Sequence, residues 1–342
     1  MVKIFTVDSP FSPGVPNLAS LTRQAEKWEA SQAIDQVLVG YSALWPHNFA
    51  TAPTLFALTR RVGLIVAHRP GVMHPTAAAR WYGTMDVLSG GGRLACNLVS
   101  GSSDKDLHRE GDYEIKAVRY ERATDYVACM KQCWSAPAKF DYDGKFYKAE
   151  TVQQFVRPVS GHVPIYMGGD SEDAIDFGAH HADIYMLWGE PLAGTQERIR
   201  KVTEVARKYH RVPEFSLSLR LFIGETEDAA WEKARAVETT ILQAQGTNRF
   251  MRSSKNDQSV GRSRQLSFAD EEIHDACFWT GLVKLLGGFA NSAALVGTHD
   301  QVMRSLRAYR DLGIGAFLIT GGAEGLWDPS LEEFLVQAKA AL

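Results

Sequence analysis

The sequence predicts a single TIM (β/α)8 barrel over residues 1–342, on three observations. Short apolar runs alternate with longer helical segments from end to end. The apolar runs number eight. The first of them is followed by Asp8-Ser9-Pro10-Phe11-Ser12-Pro13, where a doubly wound sheet would carry a GxGxxG turn. At 342 residues, 45% hydrophobic and 23% charged, the chain can bury one large core without a covalent staple.

The strands predicted in order are 3–7, 36–40, 63–68, 93–100, 164–168, 183–188, 215–223 and 316–320. The helices between and after them are 17–31, 50–60, 75–88, 117–134, 171–180, 192–210, 228–244 and 300–312. A ninth helix closes the chain, started by Pro329 and Ser330 and presenting Leu331, Phe334, Leu335 and Ala338 on one face. Two stretches exceed ordinary connections. FDYDGKFYK (140–148) reads as a hairpin outside the barrel with a type I′ turn at Asp143-Gly144. The polar, Arg-rich stretch 246–274 reads as an active-site lid or as a plain surface excursion or oligomer contact.

Lys and Arg number 37 against 40 Asp and Glu, a net charge of −3 with no basic block, which disfavours a nucleic-acid partner but not a local anion pocket. Cys96, Cys129, Cys133 and Cys277 form no CxxC pair, so they read as thiols and no metal site is expected. The amino terminus lacks the apolar core of a signal peptide, and no apolar run approaches a membrane span. A soluble, cytoplasmic chain is the expectation.

In this fold the chemistry sits at the carboxyl ends of the strands. Strand three ends in Ala67-His68-Arg69-Pro70, a His-Arg pair suited either to an anion or to a capped loop. Strand four ends in Asn97 and a polar turn through Ser100, whose backbone N–H groups could face a ring edge or an oxyanion. Strand five ends in Gly168-Gly169-Asp170-Ser171-Glu172 and opens into a helix, which is a phosphate cradle or a simple N-cap. Strand six ends in Trp188-Gly189, a wall for a flat ligand or a rim aromatic. Strand seven alternates Ser216, Ser218 and Arg220 with leucines, which puts the three polar residues on one face. An arginine there either meets a carboxylate or binds an anion at the mouth. No nucleophile elbow, HExxH, P-loop or EF-hand loop is present, which points to chemistry carried by a cofactor.

Taken in order, these strand ends resemble the bacterial luciferase-like flavin monooxygenases, and within them the alkanesulfonate monooxygenase branch. The matching stretches include VGLIVAHRPGVMHPTAAAR (62–80), TMDVLSGGGRLACNLVSGSS (84–103), RYE (119–121), PIYMGGDSEDA (164–174), ADIYMLWGEP (182–191), QSVGRSRQ (258–265), ALVGTHDQV (294–302) and LGIGAFLITG (312–321). The resemblance implies reduced FMN as cosubstrate, O2, a flavin peroxide that oxygenates the substrate, and a separate NAD(P)H:FMN reductase. For a sulfonate the products would be aldehyde and sulfite. It also implies a homodimer or homotetramer.

Carried onto this chain, the resemblance puts Ala67, Asn97 and Ser100 beside the flavin ring and Tyr120, Gly168, Gly169 and Ser171 near the phosphate. Trp188 would stand at the pocket wall. The chain departs from the branch where Arg-x-His on strand seven reads Ser218-Leu219-Arg220, where an arginine reads Leu286 and a tyrosine Gly322, and where a cysteine after strand two falls near Trp45. An Asp-His step reads Ile115-Lys116. The reading is therefore an FMNH2-dependent monooxygenase in which Arg220, with His68 and the lid arginines Arg262 and Arg264, holds an anionic substrate while Trp45 and Trp188 bound the pocket. A deazaflavin-dependent oxidoreductase of the same fold and a non-catalytic flavin-binding protein are the alternatives.

Overall fold

The structure, a computed structural model, describes residues 2–7, 17–101, 103–245, 259–288, 292–320 and 328–342. Its strands are β1 (Lys3–Thr6), β2 (Gln36–Val39), β3 (Gly63–His68), β4 (Leu94–Leu98), β5 (Phe140–Asp143), β6 (Lys148–Val152) and β7 (Ile165–Met167). They continue with β8 (Ile184–Trp188), β9 (Glu214–Gly224), β10 (Ile273–His274), β11 (Phe278–Trp279), β12 (Ala294–Thr298) and β13 (Ile314–Thr320). The helices are α1 (Leu18–Ala30), α2 (Asn48–Leu58), α3 (Pro75–Leu88), α4 (Asp104–His108), α5 (Lys116–Ser135), α6 (Glu172–His181), α7 (Leu192–Arg207) and α8 (Glu227–Gln245). After them come α9 (Val260–Ser267), α10 (Gly281–Leu286), α11 (His299–Asp311) and α12 (Pro329–Ala341).

Strands β1, β2, β3, β4, β7, β8, β9 and β13 close an eight-stranded parallel barrel, with β9 joining β8 on one side and β13 on the other. The eight predicted strands are these eight, their ends displaced by at most two residues. Successive side chains on a strand point to opposite faces. Phe5, Ile65, Ala95, Tyr166, Ile184, Ala316 and Leu318 accordingly pack together inside the ring. Their neighbours Ile4, Leu64, Val66, Cys96, Leu217 and Leu219 pack outward against the helices. The first turn, 8–13, lies outside the described residues.

β9 is longer than its barrel neighbours and changes partner halfway. Residues 214–218 pair with β8, whereas from Arg220 onward the strand pairs with β12, the Arg220 N–H donating to the Ala293 carbonyl at 2.9 Å. Gly189 makes the exchange possible: a Cβ there would lie 2.6 Å from the Ser218 oxygen and 2.9 Å from the Ala293 Cβ. The upper half of β9 thus serves a second core, in which Phe222 meets Ala230, Ala234, Trp279, Leu282 and Val296. Of the stretch 246–274, residues 246–258 lie outside the described residues. The remainder forms α9 and the first strand of a small antiparallel ribbon that pairs with β12.

β5 and β6 form the expected hairpin, but its turn is corrected. Asp143 pairs with Lys148, so the loop has four residues, and neither Asp143 nor Gly144 has the positive φ that a type I′ turn requires. Gly144 is needed because a Cβ would strike the Asp125 carboxylate. That carboxylate accepts from the Tyr142 hydroxyl at 2.6 Å and from the Phe146 N–H at 2.6 Å. No helix among the described residues is long and apolar enough to cross a membrane.

Candidate active site

Strand register brings the lumen-facing residues of the carboxyl ends together. Ala67 lies level with Asn97, Trp188 and Leu318 with Ser218, and Thr320 with Arg220. The end of β3 is pinned by Asn48, whose side-chain amide donates to the Ala67 carbonyl at 2.5 Å. Its Oδ1 is buried with no partner among the described residues. Ala67 offers no side chain beyond Cβ, so the space above it is left to whatever occupies the mouth.

The side expected to face a phosphate is built on the β7–α6 turn. A Cβ on Gly168 would run into the Met186 carbonyl, and one on Gly169 would lie 2.6 Å from the Ala174 Cβ and 3.5 Å from the Tyr120 hydroxyl. Only glycines let the backbone come this close. The Ser100 hydroxyl donates to the Tyr120 oxygen at 2.9 Å, and burial raises the Tyr120 phenol pKa. Ser171 is the N-cap of α6, its Oγ accepting the Ala174 N–H at 3.3 Å. Around this turn stand Arg119, which is 8% exposed with an Nε lacking any partner among the described residues, and half-buried Lys116. Asp173 and Asp170 act on the Lys116 ammonium, whose pKa burial lowers. Close-approach glycines at a helix N-terminus, with the Lys116 ammonium near by, fit the phosphate end of a flavin mononucleotide.

Two strands on from β7, Ser216, Ser218 and Arg220 share the lumen face of β9 as their alternation predicts. Burial lowers the Arg220 pKa, but a guanidinium keeps its charge in a protein. Trp188 is 37% exposed one strand away. Trp45 is 40% exposed and lies across the end of β2, its Cζ3 3.0 Å from where a Gly40 Cβ would be.

Two expected anion holders, His68 and Arg264, are engaged away from the lumen. His68 has the parity opposite to Ala67 and points away from the lumen. It stacks on Phe49 at 5.1 Å, and its Nε2 is 2.6 Å from the Tyr126 hydroxyl. Burial pushes its pKa down to about 3, so it is neutral and cannot hold an anion by charge. Its sequence neighbour Arg69 is bound by Asp106 and Glu110, both at 2.6 Å. Arg264 forks onto the buried Glu190 at 2.7 and 2.8 Å and reaches Glu197 at 3.0 Å. Arg262 is 5% exposed on the same helix. Gly322 lies outside the described residues.

Sequence reasoning missed Asn48, Arg198 and Glu190. Asn48 opens α2, Glu190 precedes α7 and Arg198 lies inside α7, and the partners of each are distant in sequence. The only signal was the WGEP match, which contains Glu190. Two cavities among the described residues, about 460 Å³ beside Arg69 and Arg122 and about 500 Å³ beside Arg235 and Lys284, include none of the lumen-facing residues Ala67, Asn97, Trp188, Ser218 and Arg220. Register gathers the predicted lumen-facing residues at the strand ends. All four cysteines are buried thiols, and no cluster of three potential metal ligands occurs among the described residues.

The sequence signature of the luciferase-like monooxygenases matches residues 2–316. Among solved structures, riboflavin lyase with modified FMN and riboflavin is 16% identical with a TM-score of 0.75, covering 100% of this chain and 91% of that one. EDTA monooxygenase from Chelativorans sp. BNC1 is 18% identical with a TM-score of 0.69, covering 99% and 93%. An F420-dependent secondary alcohol dehydrogenase with an F420-acetone adduct is 15% identical with a TM-score of 0.67, covering 100% and 98%. At these identities the likeness carries the fold.

Proposed function

The chain belongs to the luciferase-like monooxygenase family, as a flavin-dependent enzyme, and on that premise we propose a two-component monooxygenase. It takes reduced FMN from a separate NAD(P)H:FMN reductase, uses O2, and acts on a small organic anion of the alkanesulfonate type. When bound, reduced flavin supplies the two electrons that activate O2. One oxygen atom ends in the aldehyde and the other in water, and the C–S bond breaks to release sulfite. The cytoplasm and a homodimeric or homotetrameric state belong to the same proposal.

The observation that carries the reading is Arg220 on the lumen face of β9, one strand from Trp188. A desolvated guanidinium offers a planar fork matched to the oxygens of a sulfonate, and the indole supplies an apolar wall for its alkyl part. Trp188 and Trp45 exclude water from the mouth. Ala67 leaves the ring face open and Asn97 addresses the ring edge. Tyr120, Ser100, Gly168, Gly169 and Ser171 hold the phosphate end. Arg262 and Arg264 act by seating α9, since Arg264 is already engaged by Glu190 and Glu197.

The test is anaerobic titration with reduced FMN, followed by mixing with O2 and a sulfite assay across a series of alkanesulfonates. Tight binding, flavin reoxidation slower than that of free flavin, and sulfite release support the proposal. Binding of reduced F420 in preference to reduced FMN would move the chain to the deazaflavin oxidoreductases. Binding of reduced FMN without turnover of any substrate would leave a flavin-binding protein.

A further inference from the structure

We propose that Arg198 and Tyr185 are positioning residues that aim the Asp170 N–H into the phosphate cradle. The inference rests on the flavin reading above. Arg198, on α7, is 4% exposed. Its Nη2 lies 2.5 Å from Asp170 Oδ1 and donates to the Gly169 carbonyl at 3.3 Å. The Tyr185 hydroxyl, from β8, donates to the same carbonyl at 2.6 Å.

No peptide bond in the described residues is cis. In a planar trans peptide the carbonyl of one residue and the N–H of the next point in opposite directions. Two donors that hold the Gly169 oxygen on the α7 side therefore turn the Asp170 N–H to the other side of the strand-to-helix turn. The N–H groups of Asp170 and Ser171 have no acceptor among the described residues, so these donors are free for a ligand.

Charge gives Arg198 a second task. The turn carries Asp170, and the first helical turn adds Glu172 and Asp173. A phosphate dianion placed there would meet three carboxylates. Lys201 answers Glu172, Lys116 faces Asp173, and Arg198 answers Asp170. A methionine at position 198 would leave Asp170 charged against the phosphate and the Gly169 carbonyl held by Tyr185 alone. Riboflavin, which lacks the phosphate, would not register either change.

The experiment measures the dissociation constants of reduced FMN and reduced riboflavin anaerobically, by protein fluorescence quenching, for the parent chain and for Arg198→Met, Arg198→Lys and Tyr185→Phe. The parent should prefer FMN. Arg198→Met should weaken FMN about tenfold or more while riboflavin binding stays within about twofold. Arg198→Lys, which keeps the charge and loses the fork, should fall between. Tyr185→Phe should weaken FMN by a few-fold. Should Arg198→Met fail to fold with Asp170 unpaired, the Asp170→Asn/Arg198→Met pair and Tyr185→Phe carry the test. An unchanged FMN-to-riboflavin ratio in both overturns the inference and leaves the flavin reading intact. A parent chain with no preference for FMN over riboflavin overturns both.

Discussion

The two sides of the barrel mouth are both held by buried ion pairs, and they differ in what those pairs connect. On the β2–β3–β4 side, Arg69 binds Asp106 and Glu110. Asp106 in turn accepts from the Ser42 hydroxyl at 2.9 Å, and Glu110 from the Tyr41 hydroxyl at 2.5 Å. Three successive loops are thereby tied into one wall. On the β7–β8 side the pairs reach out of the barrel. Glu190 is gripped by Arg264 of α9, Gln265 donates to the Gly189 carbonyl at 2.9 Å, and Gly261 lies so close that a Cβ would be 2.5 Å from the Asp170 carboxylate. The first side is a self-contained wall. The second makes the shape of the pocket depend on how the insertion sits.

Burial separates the two energetically. The Glu190 side chain is 4% exposed and cannot hydrate if it loses its partner, whereas those of Asp106 and Glu110 are 15% and 24% exposed and can. Arg264→Met should therefore be the more damaging change, costing about 3–5 kcal/mol in chemical denaturation. Burial already raises the Glu190 carboxyl pKa, and Arg264 is the main influence that lowers it. With Arg264 gone the folded-state pKa rises further, so the folded state binds more protons than the unfolded one. The deficit should narrow as pH falls from neutrality into the raised carboxyl range, and a deficit independent of pH would break the comparison. Arg69→Met should cost about 1–3 kcal/mol, measured by urea midpoints.

Smaller effects sharpen the contrast between groups that face the lumen and groups that do not. Arg220→Met should raise the apparent KM for an alkanesulfonate about tenfold, with reduced FMN binding nearly unchanged; an unaltered KM removes Arg220 from the substrate site. His68, on the outward parity, should instead act on stability. Its folded pKa of about 3 lies below the ordinary 6.5. The unfolded chain takes up a proton that the folded chain refuses, and stability falls with pH below the ordinary value. His68→Phe should flatten that slope by about 1 kcal/mol between about pH 6.5 and 5.5, with no change in the pH profile of turnover.

The same contrast explains what could be read from the sequence. The barrel strands are apolar runs buried on both faces, which makes them easy to find and hides which parity faces the lumen. His68 was misjudged for that reason, since nothing in Gly63–His68 marks Ala67 as inward. Arg220 was legible because Ser216, Ser218 and Arg220 break the leucine pattern with period two. β12 was missed as a strand because it is five residues long and lies outside the barrel, between the upper half of β9 and β11. α9 was missed because buried Arg262 and Gln265 leave no apolar stripe to recognise. The glycine-rich turn after β7 was read as either a cradle or a cap, and Ser171 does cap the helix. Arg198 and Tyr185, which orient the turn, come from neighbouring elements that no local window contains.

The partner exchange along β9 bears on how this chain can be cut. Any shortened version lacking 246–298 would strip β12 from residues 220–224 and leave the upper strand as a bare hydrogen-bonding edge. It would also uncover Phe222, whose packing partners include Trp279 and Val296. An edge of that kind pairs readily with another chain. Deleting the insertion should therefore yield an aggregating protein and not a smaller soluble barrel.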